Sequence, residues 1–202
     1  AVGLRAAAAV GGEIDELAVG REERLGVDAG GRGKAHRAAA VGIPAVGLDR
    51  KGFRTKTDFE AEIGRVLAAY DVELVALAGF MRVLTPGFVQ HYVGRLLNIH
   101  PSLLPAFPGL HTHRRAIEAG CKLAGATVHF VTLALDHGPI VIQAVVPVLP
   151  GDDEHVLAQR VLAREHVIFP LAVRWFVTGK LRLDERGIVT HLGGEAQLLL
   201  PE

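Results

Sequence analysis

LVALAGFMRVLTPGFVQHYVGRLLNIH, residues 74–100, contains two apolar runs with a helix start between them. Residues 74–78 include no polar side chain, which is typical of a strand buried on both faces of a parallel sheet. Thr85 followed by Pro86 predicts a helix N-cap and a first-turn proline, and residues 95–99 form the second predicted strand. A strand, a helix and a strand in this order make a parallel crossover, so the segment predicts an α/β fold.

The alternation of helices and strands continues on both sides of this segment. Asp58 begins a predicted helix with apolar residues at spacings of three and four, and Asp152 or Asp153 begins a longer helix that we expect to break or kink at Pro170. We therefore predict an α/β fold with an open, mostly parallel sheet and helices on both faces. The length favours a single domain, 1–202.

The first fifty residues depart from this pattern. Residues 1–17 look helical, so the opening strand that is usual in such folds, and the glycine-rich turn after it, are predicted to be missing. The glycine-rich stretch 30–34 does not form a P-loop, because Asp28 stands where its first glycine is needed and Ala35 stands where Ser or Thr is needed. We interpret it as a solvated turn.

Composition excludes several classes of protein. The 22 Lys and Arg residues balance the 22 Asp and Glu residues, so no overall charge attracts nucleic acid or an anionic membrane. No apolar run approaches the roughly 20 residues of a membrane span, and the acidic residues that follow Val10 argue against a signal peptide. Cys121 is the single cysteine, which excludes an internal disulfide and fits a reducing compartment. We expect a cytoplasmic protein.

Asn98 and His100 are the strongest candidates for a functional site. They are two residues apart in a strand, so they face the same side, at the C-terminal end where open α/β sheets bind ligands. An amide can stabilise an oxyanion, and an imidazole can move a proton. Asp136 follows another strand and loop, and adjacent strands would bring its carboxylate to His100. The spacing alone is also compatible with an ordinary polar strand end.

The remaining histidines invite a metal-binding interpretation that their spacing does not support. His111 and His113 are one residue apart, and no group of histidines has the cysteine partners or the i, i+4 spacing of a zinc site. We therefore expect no metal, and we predict that His129, inside an apolar strand, is a hydrogen-bonded core residue. Ser102, the only serine, is predicted to serve turn geometry rather than nucleophilic attack.

Four segments together resemble one family of enzymes. They are AGFMRVL at 78–84, GRLLNIHPSLLP at 94–105, FPGLHTH at 107–113 and LDHGP at 135–139. From about residue 43 to residue 183 the chain resembles the phosphoribosylglycinamide formyltransferases. The Asn, His and Asp pattern also occurs in methionyl-tRNA formyltransferase and formyltetrahydrofolate deformylase, whereas the PGLHTH continuation favours the first family.

The resemblance implies a Rossmann-like formyltransferase fold and a reaction. A formyl group would pass from 10-formyltetrahydrofolate to the amine of glycinamide ribonucleotide, in purine synthesis and without a metal. Asn98 would stabilise the oxyanion, His100 would act as acid and base, and Asp136 would set the protonation and orientation of the histidine. The partners would be these two small molecules, bound by a monomer or a homodimer.

The resemblance also implies which residues hold the two molecules. The folate would be bound by residues of the first half of the chain and by the loop 132–136, largely through backbone groups; the named residues are Lys56, Met81, Arg82, Val83, Leu84 and Asn98. The ribonucleotide would be bound by Gly79, Pro101 and Glu165.

The chain departs from the family at its start. Members begin with a strand and a Gly-Asn-Gly-Ser-Asn type turn whose amides bind the substrate phosphate, and residues 19–34, where a second strand is expected, are charged and rich in glycine. We therefore predict an atypical or incomplete nucleotide-binding half at 1–50, a folate-binding and catalytic half at 51–183 and a tail at 184–202. The alternatives are a formyltetrahydrofolate deformylase, or a folate-binding homologue that is inactive through loss of the phosphate loop.

Overall fold

The computed structural model describes residues 7–11, 24–28, 45–80 and 82–201, and the chain forms two compact units, Ala1–Asn98 and Ile99–Glu202. The elements of the first unit are β1 (Ala7–Gly11), β2 (Arg24–Asp28), β3 (Ala45–Gly47), α1 (Lys56–Ala69), β4 (Leu74–Ala78) and α2 (Pro86–His91). Strand β5 (Leu96–His100) begins in the first unit and ends in the second. The second unit continues with α3 (Thr112–Glu118), β6 (Leu123–Phe130), β7 (Ile140–Pro147), α4 (Glu154–Val177), β8 (Leu181–Leu183), β9 (Val189–His191) and β10 (Leu198–Leu199).

The strands of the first unit pair in the order β5, β4, β1, β2, β3, and every pair is parallel. All five residues of β4 are buried, as expected for a strand between two neighbours. Helix α1 is capped by Thr55, whose hydroxyl accepts from the amide of Asp58, while the Asp58 carboxylate accepts from the amide of Thr55. Asp58 therefore completes a capping box and is not the N-cap that its sequence position suggested.

The predicted absence of an opening strand, with a helix over 1–17, is wrong. Residues Ala7–Gly11 form β1, which pairs with β4 on one side and β2 on the other. Strand β2 lies inside the charged and glycine-rich stretch 19–34. Helix propensity is a weak prior, and pairing with two neighbouring strands overrides it in an alanine-rich segment. The turn predicted to be missing after the first strand lies outside the described residues.

The second unit is built on an antiparallel pair and a long helix. Strands β6 and β7 pair antiparallel from Leu123 opposite Pro147 onward, and β10 pairs parallel with β7. Helix α4 packs on both β6 and β7 and begins at Asp153, whose carboxylate accepts from the amide of Val156 at 2.8 Å. The helix does not break at Pro170, since α4 continues to Val177 with completely buried Ile168 and Ala172 on either side of the proline; the kink that was the other expectation there stays a prediction.

The predicted fold class, α/β with an open and mostly parallel sheet, is confirmed. The described part of the chain contains no helix that combines the length and the apolar composition needed to cross a membrane.

Candidate active site

His100 is the last residue of β5, and its side chain is only 8% exposed. Nε2 lies 3.1 Å from the carbonyl oxygen of Phe107, and Nδ1 lies 3.6 Å from Oδ2 of Asp136. A carbonyl oxygen can only accept a hydrogen bond, so Nε2 carries a proton. The ring is thus held between a main-chain acceptor and a carboxylate, which fixes its orientation.

Asp136 lies in the loop between β6 and β7, with a side chain that is 9% exposed and a backbone in the left-handed region, with φ of 53°. Its Oδ2 accepts a hydrogen bond from the amide of Gly109 at 2.8 Å, in addition to facing His100. Its Oδ1 lies 3.9 Å from Nε2 of His129. The carboxylate therefore lies beside His100, as expected, and also beside His129 and the Gly109 amide, which were not anticipated.

His129 is a buried neighbour of this pair, with 2% exposure. Its Nδ1 donates to the carbonyl oxygen of Phe130 at 2.9 Å, which confirms the prediction of a hydrogen-bonded core residue. Burial lowers the pKa of His129, and the bond to Phe130 and the charge of Asp136 oppose this effect only in part. The neutral ring of His129 therefore borders Asp136 without adding a positive charge at neutral pH.

The loop after β5 is held by side chains from the neighbouring strands. The hydroxyl of Thr127 in β6, which has no exposed surface, donates to the carbonyl of Ser102 at 2.7 Å and accepts from the amide of Leu104 at 3.1 Å. The amide of Gln143 in β7 donates to Thr127 and to the carbonyl of Leu104, both at 2.9 Å. These bonds fix the path of the chain from His100 towards Phe107, and neither Thr127 nor Gln143 was anticipated.

The second half of this loop is held from within and by α3. The hydroxyl of Ser102 donates to the carbonyl of Ala106 at 2.7 Å, as expected for a residue in a turn. Arg115 donates to the carbonyl of Pro108 at 2.6 Å, and its guanidinium lies 5.4 Å from the centre of the Phe107 ring. Phe107 and Gly109 both have positive φ, 53° and 79°. This backbone path turns the Phe107 carbonyl to His100 and the Gly109 amide to Asp136.

The other predicted site residues of the second unit are Pro101 and Glu165. Pro101 directly follows His100 and is half-buried. Glu165 lies in the middle of α4, also half-buried.

Of the predicted site residues of the first unit, Gly79 and residues 82–84 follow the end of β4, whereas Asn98 lies within β5 and Lys56 lies in α1. Gly79 comes directly after β4 with φ of 62°, and Asn98 is the half-buried third residue of β5. Arg82 and Val83 are exposed, and Leu84 is half-buried, whereas Met81 lies outside the described residues.

Lys56 lies in the first turn of α1, where its ammonium is 3.8 Å from the carboxylate of Glu60. Glu60 itself is 5% exposed and accepts hydrogen bonds from both the amide and the hydroxyl of Thr85, the N-cap of α2. Lys56 therefore lies beside the hydrogen bonds between Glu60 and Thr85 that connect α1 to the start of α2. Its contact with the folate stays a prediction.

No group of three or more His, Cys, Asp or Glu side chains that could hold a metal ion occurs in the parts of the chain that the structure describes.

Comparison with known proteins identifies the family to which the chain is similar. Residues 28–173 match the model of the formyl transferase family. Over 149 residues the chain is 49% identical to phosphoribosylglycinamide formyltransferase of Escherichia coli, covering 74% of this chain and 70% of that protein. A fragment of the trifunctional purine biosynthetic protein adenosine-3 of Drosophila melanogaster is 50% identical over 143 residues, 71% of this chain but 11% of that much longer protein.

A solved structure shows the same likeness over the whole fold. The phosphoribosylglycinamide formyltransferase of Anaplasma phagocytophilum superposes with a TM-score of 0.88 at 36% identity, covering 99% of this chain and 100% of that chain. The chain belongs to the formyl transferase family and, within it, to the phosphoribosylglycinamide formyltransferases.

Proposed function

We propose that this chain transfers a formyl group from 10-formyltetrahydrofolate to the primary amine of glycinamide ribonucleotide, a step of purine synthesis. The observation that carries the proposal is the His100 and Asp136 pair, with 3.6 Å between Nδ1 and Oδ2, at the end of a strand in a chain of this family. A buried imidazole oriented by a carboxylate and a carbonyl is suited to acid and base catalysis.

His100 and Asp136 would manage the protons of the transfer. As the amine attacks a formyl carbon it becomes positively charged and has to lose a proton, while the leaving nitrogen has to gain one. His100 can serve both needs because one ring can accept a proton and later donate it. Asp136, held by the Gly109 amide at 2.8 Å, would keep the ring in one orientation during both proton transfers.

Asn98 would stabilise the negative charge that develops on oxygen. It is two residues before His100 in β5, so the alternation of a strand puts both side chains on the same side of it. Loss of one such donor typically costs about 3 kcal/mol of transition-state stabilisation.

The loop that carries Asp136 fits a flat, partly apolar ligand. Leu133 and Leu135 precede the carboxylate and are 61% and 54% exposed, although large apolar side chains are usually buried. These side chains and the backbone of 132–136 would hold the folate in the second unit. The folate contacts that the family resemblance assigns to the first unit, at Lys56, Met81, Arg82, Val83 and Leu84, stay predictions. When bound, the folate supplies the formyl group.

The decisive experiment is a formyl-transfer assay with both substrates. His100→Ala and Asp136→Asn should each lower kcat by about 100-fold or more while the fold is retained. His137→Ala is the matched control, because His137 is exposed and adjacent to Asp136; it should keep wild-type turnover. Wild-type rates in either active-site variant would contradict the proposed roles.

The same assay separates the alternatives. Formate release in the absence of ribonucleotide would identify a deformylase, with water in place of the amine. Binding of a folate analogue without any turnover would identify a folate-binding protein that has lost catalysis.

A further inference from the structure

The second unit contains a cavity of about 110 Å³ next to the site described above, with which it shares Pro101 and Phe107. It is lined by the loop after β5, including Pro101 and Phe107, by Ala116 of α3 and by Leu123 at the start of β6. The lining is mainly apolar. An apolar cavity of roughly 150 Å³ is known to accept a benzene ring, so this space is close to the size of one small ring or one branched aliphatic group.

The lining also includes four residues with polar side chains, Ser102, Thr112, His113 and Cys121. The Ser102 hydroxyl already donates to the carbonyl of Ala106. Nε2 of His113 is buried and has no hydrogen-bond partner among the described residues. Burial lowers the pKa of His113, more than the nearby charge of Glu154 raises it, so the ring is neutral at neutral pH. Cys121 is a half-buried free thiol. A buried polar nitrogen without a partner costs free energy that a ligand with a hydrogen-bonding group would recover.

We propose that this cavity binds a small neutral molecule that carries one apolar ring or branched chain and a single hydroxyl group, and that its occupancy is transmitted to His100. The hydroxyl suits His113 because it can either donate or accept, whichever nitrogen of the neutral ring carries the proton. An ionised ligand would lose its hydration in a lining of this kind and is disfavoured.

The route to His100 is short and passes through the backbone. Phe107 lines the cavity, and its carbonyl oxygen accepts the hydrogen bond from Nε2 of His100 at 3.1 Å. Pro101 also lines the cavity and is bonded directly to His100. A ligand that displaces this loop therefore changes the position or the orientation of the imidazole.

Binding can be measured without any assay of catalysis, because Cys121 is the only cysteine. The rate of its alkylation by iodoacetamide is followed in the presence of increasing phenol or toluene, two probes of nearly equal shape. Phenol should slow the alkylation of the wild type in a saturable manner. His113→Leu should weaken the binding of phenol about five- to tenfold, as expected for the loss of one hydrogen bond. The binding of toluene should be unchanged or tighter.

Variants that fill the cavity with a larger side chain provide a second test of the site. Ala116→Leu and Ala106→Leu should each abolish the protection of Cys121 by phenol, and Ala106 is exposed, so its position tolerates a larger side chain. Ala119→Leu is the control, because Ala119 is exposed and outside the lining, and it should keep the protection. If neither probe protects Cys121 in the wild type, or if His113→Leu weakens both probes equally, the proposed site is refuted.

The coupling to His100 rests on the proposed function and has its own readout. Saturating phenol should change kcat for formyl transfer in the wild type and in Ala119→Leu but not in Ala106→Leu. Protection of Cys121 with an unchanged kcat would refute the coupling. A chain that shows no formyl transfer at all would refute the proposed function and leave the alkylation result intact.

Discussion

Gly138→Ala is the substitution that most directly tests how the fold positions Asp136. Gly138 is buried two residues after Asp136, and a Cβ atom built on it would lie 1.6 Å from the carbonyl oxygen of Phe130. Real Cβ atoms essentially never approach closer than 3.0 Å, so one of the two backbones has to move by about 1.4 Å. The obstacle is a backbone atom, so a change of side-chain rotamer cannot relieve it.

The displacement reaches the proposed active site through two short connections. The Phe130 carbonyl accepts the hydrogen bond from His129, whose other nitrogen faces Asp136, and the loop itself carries Asp136. A misplacement of about 1 Å at a catalytic group can cost 100-fold in rate, and overpacking of a buried site costs about 1–3 kcal/mol. We therefore expect kcat for formyl transfer to fall about 100-fold and the melting temperature to fall by about 2–12 °C.

Two glycine variants serve as controls for this experiment. Gly64→Ala, in α1, meets nothing within 4 Å and should keep wild-type turnover with equal or higher stability. Gly125→Ala, where a Cβ would lie 1.9 Å from the carbonyl of Ala144, should lower stability by overpacking at a position away from the loop of Asp136. If Gly138→Ala retains the turnover and melting temperature of the wild type, the positioning argument is refuted.

Two further predictions concern side-chain hydrogen bonds of the second unit. Thr127→Val removes the hydroxyl that bonds to Ser102, Leu104 and Gln143, and it should lower the free energy of unfolding by about 1–3 kcal/mol and also reduce kcat; in urea titrations, an effect no larger than that of the exposed control Thr190→Val would contradict it. Hydrogen bonds from Arg160, and then from the amide of Leu149, lower the pKa of Asp152 from 3.8 to about 2. Its stabilising effect is therefore present above about pH 4 and is lost as the pH falls through 2, so Asp152→Asn should be less stable than the wild type at pH 5 and the difference should shrink steadily between pH 4 and pH 2; a constant difference between the two proteins would disprove this.

The parts of the fold that could be predicted from sequence are those encoded in side-chain patterns. The unbroken apolar run of β4 and the polar residues at the end of β5 follow from burial on both faces and from where parallel sheets bind ligands. Strand β1 was missed because its small alanines carry no strand pattern, and its conformation is imposed by β4 and β2. The sequence left open whether α4 would break or kink at Pro170, and packing on β6 and β7 keeps the helix continuous through the proline.

The residues of the proposed site likewise fall into those that the sequence could reveal and those that it could not. His100 and Asp136 could be found because their side chains perform the chemistry, whereas Phe107 and Gly109 contribute backbone atoms that no residue pattern specifies. Thr127 and Gln143 did leave a trace in the sequence. They are polar residues in mainly apolar strands, and they lie directly opposite each other in the β6 and β7 pair. Two facing polar positions of this kind indicate a shared buried acceptor, here the loop after β5.

The partner of the His100 ring at position 107 is a carbonyl oxygen, an atom that every amino acid possesses. The identity of residue 107 is therefore open to evolutionary change, provided that the chain keeps its left-handed turn there, and proline is barred because its φ is fixed near −65°. Proline is also excluded at position 109, because it alone lacks the backbone N–H that donates to the Asp136 carboxylate. Substitutions can therefore change the side chains of this loop, and with them substrate preference, while the backbone hydrogen bonds that hold the imidazole and the carboxylate remain.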